Sequence, residues 1–128
     1  MEHYQKRIYY HDTDAGKVVY YANYLRYLEE ARTEYLRAKG IDLKELTKQG
    51  IWFVVKNVDI TYRAPGRYAD ILDILSEITK TRNVSLEFFQ EVKREDETLV
   101  SAKTTLVCVT DKFRPSPIPQ EILDKLTS

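Results

Sequence analysis

Two aspartates and a glycine stand shortly before a long segment of helical periodicity. Asp12 and Asp14 precede Gly16, and apolar residues at helical spacing begin at Tyr24. The start of a helix carries N–H groups without intrahelical partners and the positive end of the helix dipole. Such donors stabilise the oxyanion of an attacked carbonyl, and a nearby carboxylate can attack that carbonyl or activate water. The spacing alone is also typical of an aspartate-rich turn that caps a helix.

The histidines raise the question of a metal site. The chain has two, His3 and His11, and His11 adjoins Asp12 and Asp14. Imidazole and carboxylate groups are common metal ligands. Because such close neighbours in a loop rarely converge on one ion, we predict no metal site. Asp12 is interpreted as a turn former rather than a second catalytic group, since Asx turns are common.

Length and charge restrict the class of protein. The 128 residues fit a single domain, 1–128, and the 20 Lys and Arg residues balance the 20 Asp and Glu residues. This balance argues against electrostatic binding of nucleic acid or an anionic membrane. With Cys108 as its one cysteine, the chain has no internal disulfide, and we expect a buried thiol. No signal peptide and no apolar run of about 18 residues is evident, so we expect a cytoplasmic protein without a membrane span.

One long helix is predicted over residues 24–39. Apolar residues follow one stripe at helical spacing, and polar residues occupy the opposite face. Asn23 is the predicted N-cap and Gly40 the predicted stop, while Leu25 and Leu36 are expected to widen the apolar stripe. The stripe consists of Tyr24, Leu28, Ala31, Tyr35 and Ala38. Shorter helices are predicted over residues 42–49 and 121–126.

Five strands complete the predicted fold. The first spans residues 5–10, and alternating apolar residues predict four more between Trp52 and Cys108. In the second strand, Trp52, Val54, Val58, Ile60 and Tyr62 are predicted to share one face. The order predicts an α+β fold in which one long helix packs against a five-stranded antiparallel sheet. A sheet with open edges and one uncovered face predicts self-association.

The segment from Asp12 to Tyr24, followed by Glu30-Ala31-Arg32-Thr33-Glu34, resembles the hotdog-fold acyl-CoA thioesterases. The chain is most similar to the YbgC-type branch, which is related to 4-hydroxybenzoyl-CoA thioesterase. The resemblance also includes Tyr62-Arg63-Ala64-Pro65 and the segment from Thr81 to Leu86, so it extends along most of the chain up to Val109.

The resemblance implies a role for two residues. Asp14 corresponds to the catalytic carboxylate, acting as a nucleophile through a mixed anhydride or as a general base on water. The backbone N–H of Tyr21 corresponds to the donor that polarises the thioester carbonyl. The family usually has glycine at the position of Lys17, and many YbgC-type members have histidine at the position of Tyr21. Another branch of the fold takes its catalytic carboxylate from the long helix, so Glu29 and Glu30 are alternative candidates. Both are also explained as part of a solvated or ion-paired helix face.

The resemblance also implies that coenzyme A lies along a surface groove, with the active site at a dimer interface. Lys80, Arg82, Asn83 and Ser85 surround a predicted turn and are candidates for contacts with the coenzyme A phosphates, for which the arginine fork is well suited. An ordinary solvated basic turn is the alternative.

The predicted function is hydrolysis of an acyl-CoA thioester by a homodimer or homotetramer, without a separate cofactor because coenzyme A is part of the substrate. An acyl carrier protein is an alternative carrier of the acyl group. Two other functions stay open. One is a non-catalytic module that binds acyl-CoA or acyl carrier protein. The other is a dehydratase-like enzyme, although its catalytic histidine is expected elsewhere than at His3 or His11.

Overall fold

A computed structural model describes residues 2–127, in which five strands and three α-helices follow the predicted order. The strands are β1 (Glu2–Arg7), β2 (Trp52–Tyr62), β3 (Ile71–Thr81), β4 (Ser85–Arg94) and β5 (Glu97–Val109). The helices are α1 (Asn23–Ala38), α2 (Leu43–Lys48) and α3 (Gln120–Leu126), and a 3-10 turn spans Tyr10–Asp12. The α+β class, with one long helix and five antiparallel strands, is confirmed.

The strands form one antiparallel sheet in the order β1-β3-β4-β5-β2. β1 and β2 are therefore the two edges. Helix α1 lies against β1 and β3 on one face of the sheet. Its buried side chains are Tyr24, Tyr27, Leu28, Ala31, Arg32, Tyr35 and Leu36. Full burial of one large apolar side chain contributes roughly 1.5–3 kcal/mol, so this face of α1 accounts for much of the packing.

The edges of the predicted apolar stripe differ from the structure. Leu36 is buried as predicted, whereas Leu25 is 45% exposed and Ala38 is also exposed. Leu25 lies in the first turn of α1 and is left exposed by the rest of the described chain. Tyr27, which the stripe did not include, is fully buried.

Strand β1 ends at Arg7, so the predicted strand over residues 5–10 is wrong in its second half. After Arg7 the chain turns, because Ile8 N–H donates to the carbonyl of Asp70 at 2.8 Å. Tyr9 N–H then donates to the Asp12 carboxylate at 2.8 Å, which bends the chain into the 3-10 turn. Aspartate side chains compete with strand pairing in this way.

The start of α1 also differs from the prediction. Asn23 is the first helical residue, and Ala22 occupies the N-cap position without a side-chain hydrogen bond. The Asn23 side chain contacts the preceding loop instead of capping the helix. At the other end the prediction is confirmed, since Gly40 adopts φ +80° just beyond the helix, as glycine readily does.

A β-bulge at Lys56 divides the faces of β2. Phe53 pairs with Cys108 and Ile60 pairs with Ala102, and all four face α1. The extra residue at the bulge shifts the alternation by one, so Trp52 and Val54 lie on the outer face of the sheet. The predicted common face of Trp52, Val54 and Val58 is therefore wrong. Cys108 is buried, as expected.

Within residues 2–127, no helix is both long enough and apolar enough to cross a membrane.

Candidate active site

The loop before α1 is a short hairpin that positions Asp14. Thr13 and Val19 pair as an isolated bridge, and Asp14 N–H donates to the Val18 carbonyl at 2.9 Å. Lys17 N–H donates back to the Asp14 carbonyl at 2.9 Å and closes the turn. Lys17 has φ +66°, in the left-handed region that favours glycine. The lysine therefore adopts the backbone conformation that glycine would adopt in this loop.

The Asp14 carboxylate lies at the surface of this hairpin. Its Oδ1 atom accepts a hydrogen bond from Gly16 N–H at 2.8 Å. A Cβ on residue 16 would come within 3.1 Å of that oxygen, so glycine leaves room for the carboxylate. Asp14 lines an open cavity of about 540 Å³. The other lining residues are Tyr10, His11, Thr13, Lys17 and Tyr68. One carboxylate oxygen is thus fixed by the loop, and the group faces a space that admits a ligand.

Asp12 has a structural role, which confirms its interpretation as a turn former. The residue is 1% exposed, and its Oδ2 atom accepts from Tyr9 N–H. Its main-chain carbonyl accepts from Tyr20 N–H and from the Asn23 side-chain amide, both at 3.0 Å. These contacts connect the hairpin directly to the start of α1.

The backbone just before α1 offers hydrogen-bond donors. Among residues 2–127, no acceptor is hydrogen-bonded to the N–H of Tyr21 or of Ala22. The Tyr21 carbonyl is fixed, because it accepts from Tyr62 Oη at 3.3 Å and from Tyr24 N–H at 3.3 Å. The Tyr21 side chain is 62% exposed. The two amides are therefore available to an external acceptor such as a carbonyl oxygen.

The connection between β2 and β3 is hydrogen-bonded to the hairpin and to α1. Val19 N–H donates to the Gly66 carbonyl, and Gly66 N–H donates to the Tyr24 hydroxyl oxygen, both at 2.9 Å. A Cβ on residue 66 would lie 3.0 Å from that hydroxyl, so only glycine allows this approach. Burial raises the pKa of Tyr24.

Arg94 fixes the same connection. Its guanidinium donates to the Asp70 carboxylate at 2.7 Å and to the Pro65 carbonyl at 3.1 Å. Sequence reasoning missed Arg94, because nothing local signals a contact 24 residues away. It also assigned no role to Tyr62, although Tyr62 begins one of the segments that carried the family resemblance.

The helix carboxylates have partners of their own. Glu30 accepts from the Tyr4 hydroxyl at 3.0 Å and lies 3.7 Å from the Lys6 ammonium. Burial, aided by the hydrogen bond to Glu30, raises the pKa of Tyr4 to about 12. Glu29 accepts from Thr33 Oγ1 at 3.1 Å. These contacts match the ion-paired and solvated helix face that was the structural alternative for both residues.

In residues 2–127, the surroundings of His11 do not form a metal site. Its Nε2 atom lies 3.9 Å from Asp12 Oδ1, and its side chain is 79% exposed. In the described part of the chain, no three His, Cys, Asp or Glu side chains converge closely enough to bind a metal ion.

The predicted phosphate-binding segment lies at the far end of β3. Lys80, Arg82 and Asn83 are exposed, whereas Ser85 is buried, and its main-chain carbonyl accepts a hydrogen bond from Arg82 N–H at 2.8 Å. The Asp14 hairpin instead contacts residues 66–67, which precede β3. An eleven-residue strand is about 35 Å long. Within one chain, hydrogen bonds connect the Asp14 hairpin to the start of α1, whereas the basic segment lies at the other end of β3.

Known proteins are similar to this chain along nearly its whole length. The thioesterase-like superfamily matches residues 9–126. The acyl-CoA thioester hydrolase YbgC of Escherichia coli O6:H1 is 41% identical over 119 residues, which cover 91% of this chain and 89% of that protein. The acyl-CoA thioesterase YbgC of Haemophilus influenzae is 37% identical over 118 residues, covering 91% of this chain and 87% of the relative.

A solved structure is similar over the same extent. A hypothetical protein from Aquifex aeolicus superposes with a TM-score of 0.94 at 30% identity, covering 98% of this chain and 99% of that chain. The hairpin, helix start and basic segment described above all lie inside the matched region.

Proposed function

Because the chain belongs to the thioesterase-like superfamily, we propose that it hydrolyses acyl-CoA thioesters. Its fold is the hotdog fold, and the relatives named above are of the YbgC type. The products are coenzyme A and a carboxylic acid. The observation that carries the proposal is the exposed Asp14 carboxylate on a hairpin hydrogen-bonded to a helix start with two available amides.

In the proposed reaction, the thioester carbonyl oxygen accepts a hydrogen bond from Tyr21 N–H. In one route, an Asp14 oxygen attacks the carbonyl carbon, and the tetrahedral oxyanion collapses with cleavage of the carbon–sulfur bond. The thiolate takes up a proton, and water then hydrolyses the mixed anhydride and regenerates Asp14. In the other route, Asp14 removes a proton from water while that water attacks the carbonyl; the tetrahedral oxyanion then expels the thiolate, which takes up the proton held by Asp14. Both routes consume one water and need no separate cofactor.

In this proposal, a partner subunit is required because the thioester and the coenzyme A phosphates bind to residues that lie far apart in one chain. Lys80, Arg82, Asn83 and Ser85 are proposed to bind the coenzyme A phosphates, yet they lie about 35 Å along β3 from the Asp14 end. A homodimer can place one chain's basic segment beside the other chain's hairpin. Strand β2 supports such pairing, because it is an eleven-residue edge with open backbone groups. Two dimers give the proposed homotetramer, and the cytoplasm is its proposed location.

Free-thiol release from a panel of acyl-CoAs tests the reaction. Wild type is expected to release coenzyme A, and Asp14→Asn is expected to be at least about a hundredfold slower. The asparagine retains an oxygen that accepts Gly16 N–H, so the hairpin should persist. Asp96→Asn, in the exposed turn between β4 and β5, is the matched control and should keep full activity.

Two results would contradict the proposal. Near-normal turnover by Asp14→Asn would exclude the assigned role of this carboxylate. Absence of turnover by folded wild type on acyl-CoA and on acyl carrier protein, with retained binding of a non-hydrolysable thioester analogue, would favour the non-catalytic binding module.

A further inference from the structure

The imidazole of His11 lines the same cavity as the Asp14 carboxylate. His11 is the middle residue of the 3-10 turn Tyr10–Asp12, and its side chain is 79% exposed. None of the described residues that line the cavity belongs to β2, the edge strand assigned above to pairing with a second copy. Because the proposed reaction brings a thioester to Asp14, the imidazole lies beside the reacting group.

A fixed carboxylate stands next to this imidazole. His11 Nε2 lies 3.9 Å from Asp12 Oδ1, which is an ion-pairing distance when the imidazole is protonated. Asp12 is 1% exposed, and its Oδ2 atom accepts Tyr9 N–H at 2.8 Å, so the carboxylate is held in place. The Tyr9 ring stacks on the imidazole with the ring centroids 6.0 Å apart. Asp12 and Tyr9 thus orient the imidazole, and the carboxylate balances its charge whenever it carries a second proton.

The nucleophilic route described above contains two proton transfers that Asp14 cannot perform. When Asp14 attacks the thioester, its oxygen becomes part of the mixed anhydride, so the carboxylate holds no proton for the departing thiolate. The water that later attacks the anhydride also benefits from a base, and Asp14 is still acylated at that stage. A second group that first gives a proton and then accepts one accelerates both steps.

The chemistry of the cavity lining selects His11 for this role. Lys17, Tyr10 and Tyr68 carry ammonium and phenol groups, which exchange protons far above neutral pH. The Thr13 hydroxyl already donates to the Tyr10 carbonyl at 2.7 Å. Imidazole is the side-chain group that both gives and accepts a proton near neutral pH.

We propose that His11 is a catalytic acid and base of the nucleophilic route, an inference that rests on the proposed hydrolysis at Asp14. The imidazolium gives its proton to the sulfur as the carbon–sulfur bond breaks, and coenzyme A leaves as the thiol. The neutral imidazole then takes a proton from the water that attacks the anhydride carbonyl. Collapse of this second intermediate breaks the anhydride carbon–oxygen bond and releases the carboxylic acid. Asp14 and the imidazolium are restored, and one water is consumed.

Two thioesters of the same acyl group test the first proton transfer. The acyl-CoA releases a basic alkyl thiolate, whereas the thiophenyl ester releases a weakly basic aryl thiolate that depends little on protonation. Thiol release in the first turnover is measured at saturating substrate. His11→Ala is expected to release coenzyme A about tenfold to a hundredfold more slowly than wild type, and thiophenolate less than about threefold more slowly.

The second proton transfer is tested with the thiophenyl ester in excess. His11→Ala is expected to release about one thiolate per active site in a rapid burst, followed by a slow phase, because the anhydride forms but its hydrolysis lacks the base. Added imidazole is expected to accelerate the slow phase, since the exposed position admits it once the side chain is removed. Loss of a merely structural side chain would not produce this rescue.

His3→Ala is the matched control. His3 is also exposed, but it lies in β1 and outside the cavity lining. The variant should show wild-type rates with both thioesters. Urea denaturation reports whether each variant is folded, and His11→Gln, which keeps a polar side chain without a titratable nitrogen, replaces His11→Ala if that variant does not fold.

Three results would overturn the inference. Equal slowing of both thioesters by His11→Ala would exclude proton donation to the leaving sulfur, and unchanged rates would exclude any catalytic role. Absence of a burst with the thiophenyl ester would assign Asp14 to the general-base route, in which His11 has no part. Each of these results requires turnover by wild type. A folded wild type that hydrolyses neither thioester would instead refute the proposed hydrolysis itself, and the role of His11 with it.

Discussion

The side-chain amide of Asn23 donates a hydrogen bond to the main-chain carbonyl of Asp12, with the two atoms 3.0 Å apart. This bond joins the first residue of α1 to the loop that carries Asp14. The Asn23 side chain therefore sets the position of the loop relative to the helix start, which is a positioning role.

Replacing Asn23 with aspartate tests this role. The variant loses the donor, while a negative charge at the helix start is favourable to the dipole. We expect the free energy of unfolding to change by less than about 1 kcal/mol. We also expect kcat to fall by about tenfold or more with a smaller change in KM. Thiol release and urea denaturation measure both quantities.

Arg26→Gln is the control for Asn23→Asp. Arg26 lies at the surface, and its guanidinium donates to the side-chain oxygen of Asn23 rather than to the loop. It should leave kcat nearly unchanged. A wild-type kcat in Asn23→Asp would show that the loop does not depend on this bond.

Two neighbouring tyrosines should differ in how much stability they lose when the hydroxyl is removed. Tyr24→Phe removes the acceptor of Gly66 N–H in a buried site, and we expect a loss of about 1–3 kcal/mol. In the described residues the buried Tyr27 hydroxyl has no hydrogen-bond partner, and burial, more than the nearby Asp12 carboxylate, raises the pKa of Tyr27. Tyr27→Phe should therefore cost no stability. Urea denaturation of the matched pair measures the difference, and equal losses would contradict this account.

Lys17→Gly should stabilise the fold. Lys17 has φ +66° and is exposed, so glycine relieves backbone strain without removing a buried contact. The gain is expected to be up to about 1 kcal/mol, because the greater freedom of glycine in the unfolded chain offsets part of the relief. Lys17→Ala, which keeps the Cβ atom, controls for loss of the ammonium group. A lower melting temperature for Lys17→Gly than for Lys17→Ala would refute the strain argument.

Arg82→Ala should weaken binding of coenzyme A more than it slows the reaction. The Arg82 side chain is exposed, and its structural hydrogen bond comes from the main chain. We expect KM for an acyl-CoA to rise by about tenfold with little change in kcat. An N-acetylcysteamine thioester, which lacks the phosphates, is the control substrate and should show no change in KM. A rise in KM for both substrates would argue against a phosphate contact.

Local patterns predicted most of the fold and failed where distant contacts decide. The period of apolar residues located α1 and the four strands after it, since that period follows from burial of one face. The end of β1 was missed because the hydrogen bond from Ile8 to Asp70 joins residues 62 positions apart. Asn23 was predicted to cap the helix because its type favours that position, but the Asp12 carbonyl offers its amide a better partner.

In the candidate site, too, residues in a local motif were predictable, and residues placed by distant contacts were not. The motif predicted Asp14 and Tyr21 as site candidates because both lie in one continuous segment. Arg94 and Gly66 support that segment from β4 and from the connection before β3, and their roles depend on the tertiary fold. The buried charge of Arg32 was also invisible, since the helical pattern placed no residue of its type on the apolar face.

The bulge in β2 lets the chain vary at Lys56 without changing which side chains face α1. Its neighbours Val55 and Asn57 pair with consecutive residues of β5, so Lys56 has no partner of its own on that strand. Deleting Lys56 would therefore restore strict alternation while Phe53 and Val55 still face α1. The deletion would remove only the local bend of an edge strand. Over evolutionary time, this position should accept many substitutions, because its side chain is exposed, and single-residue deletions as well.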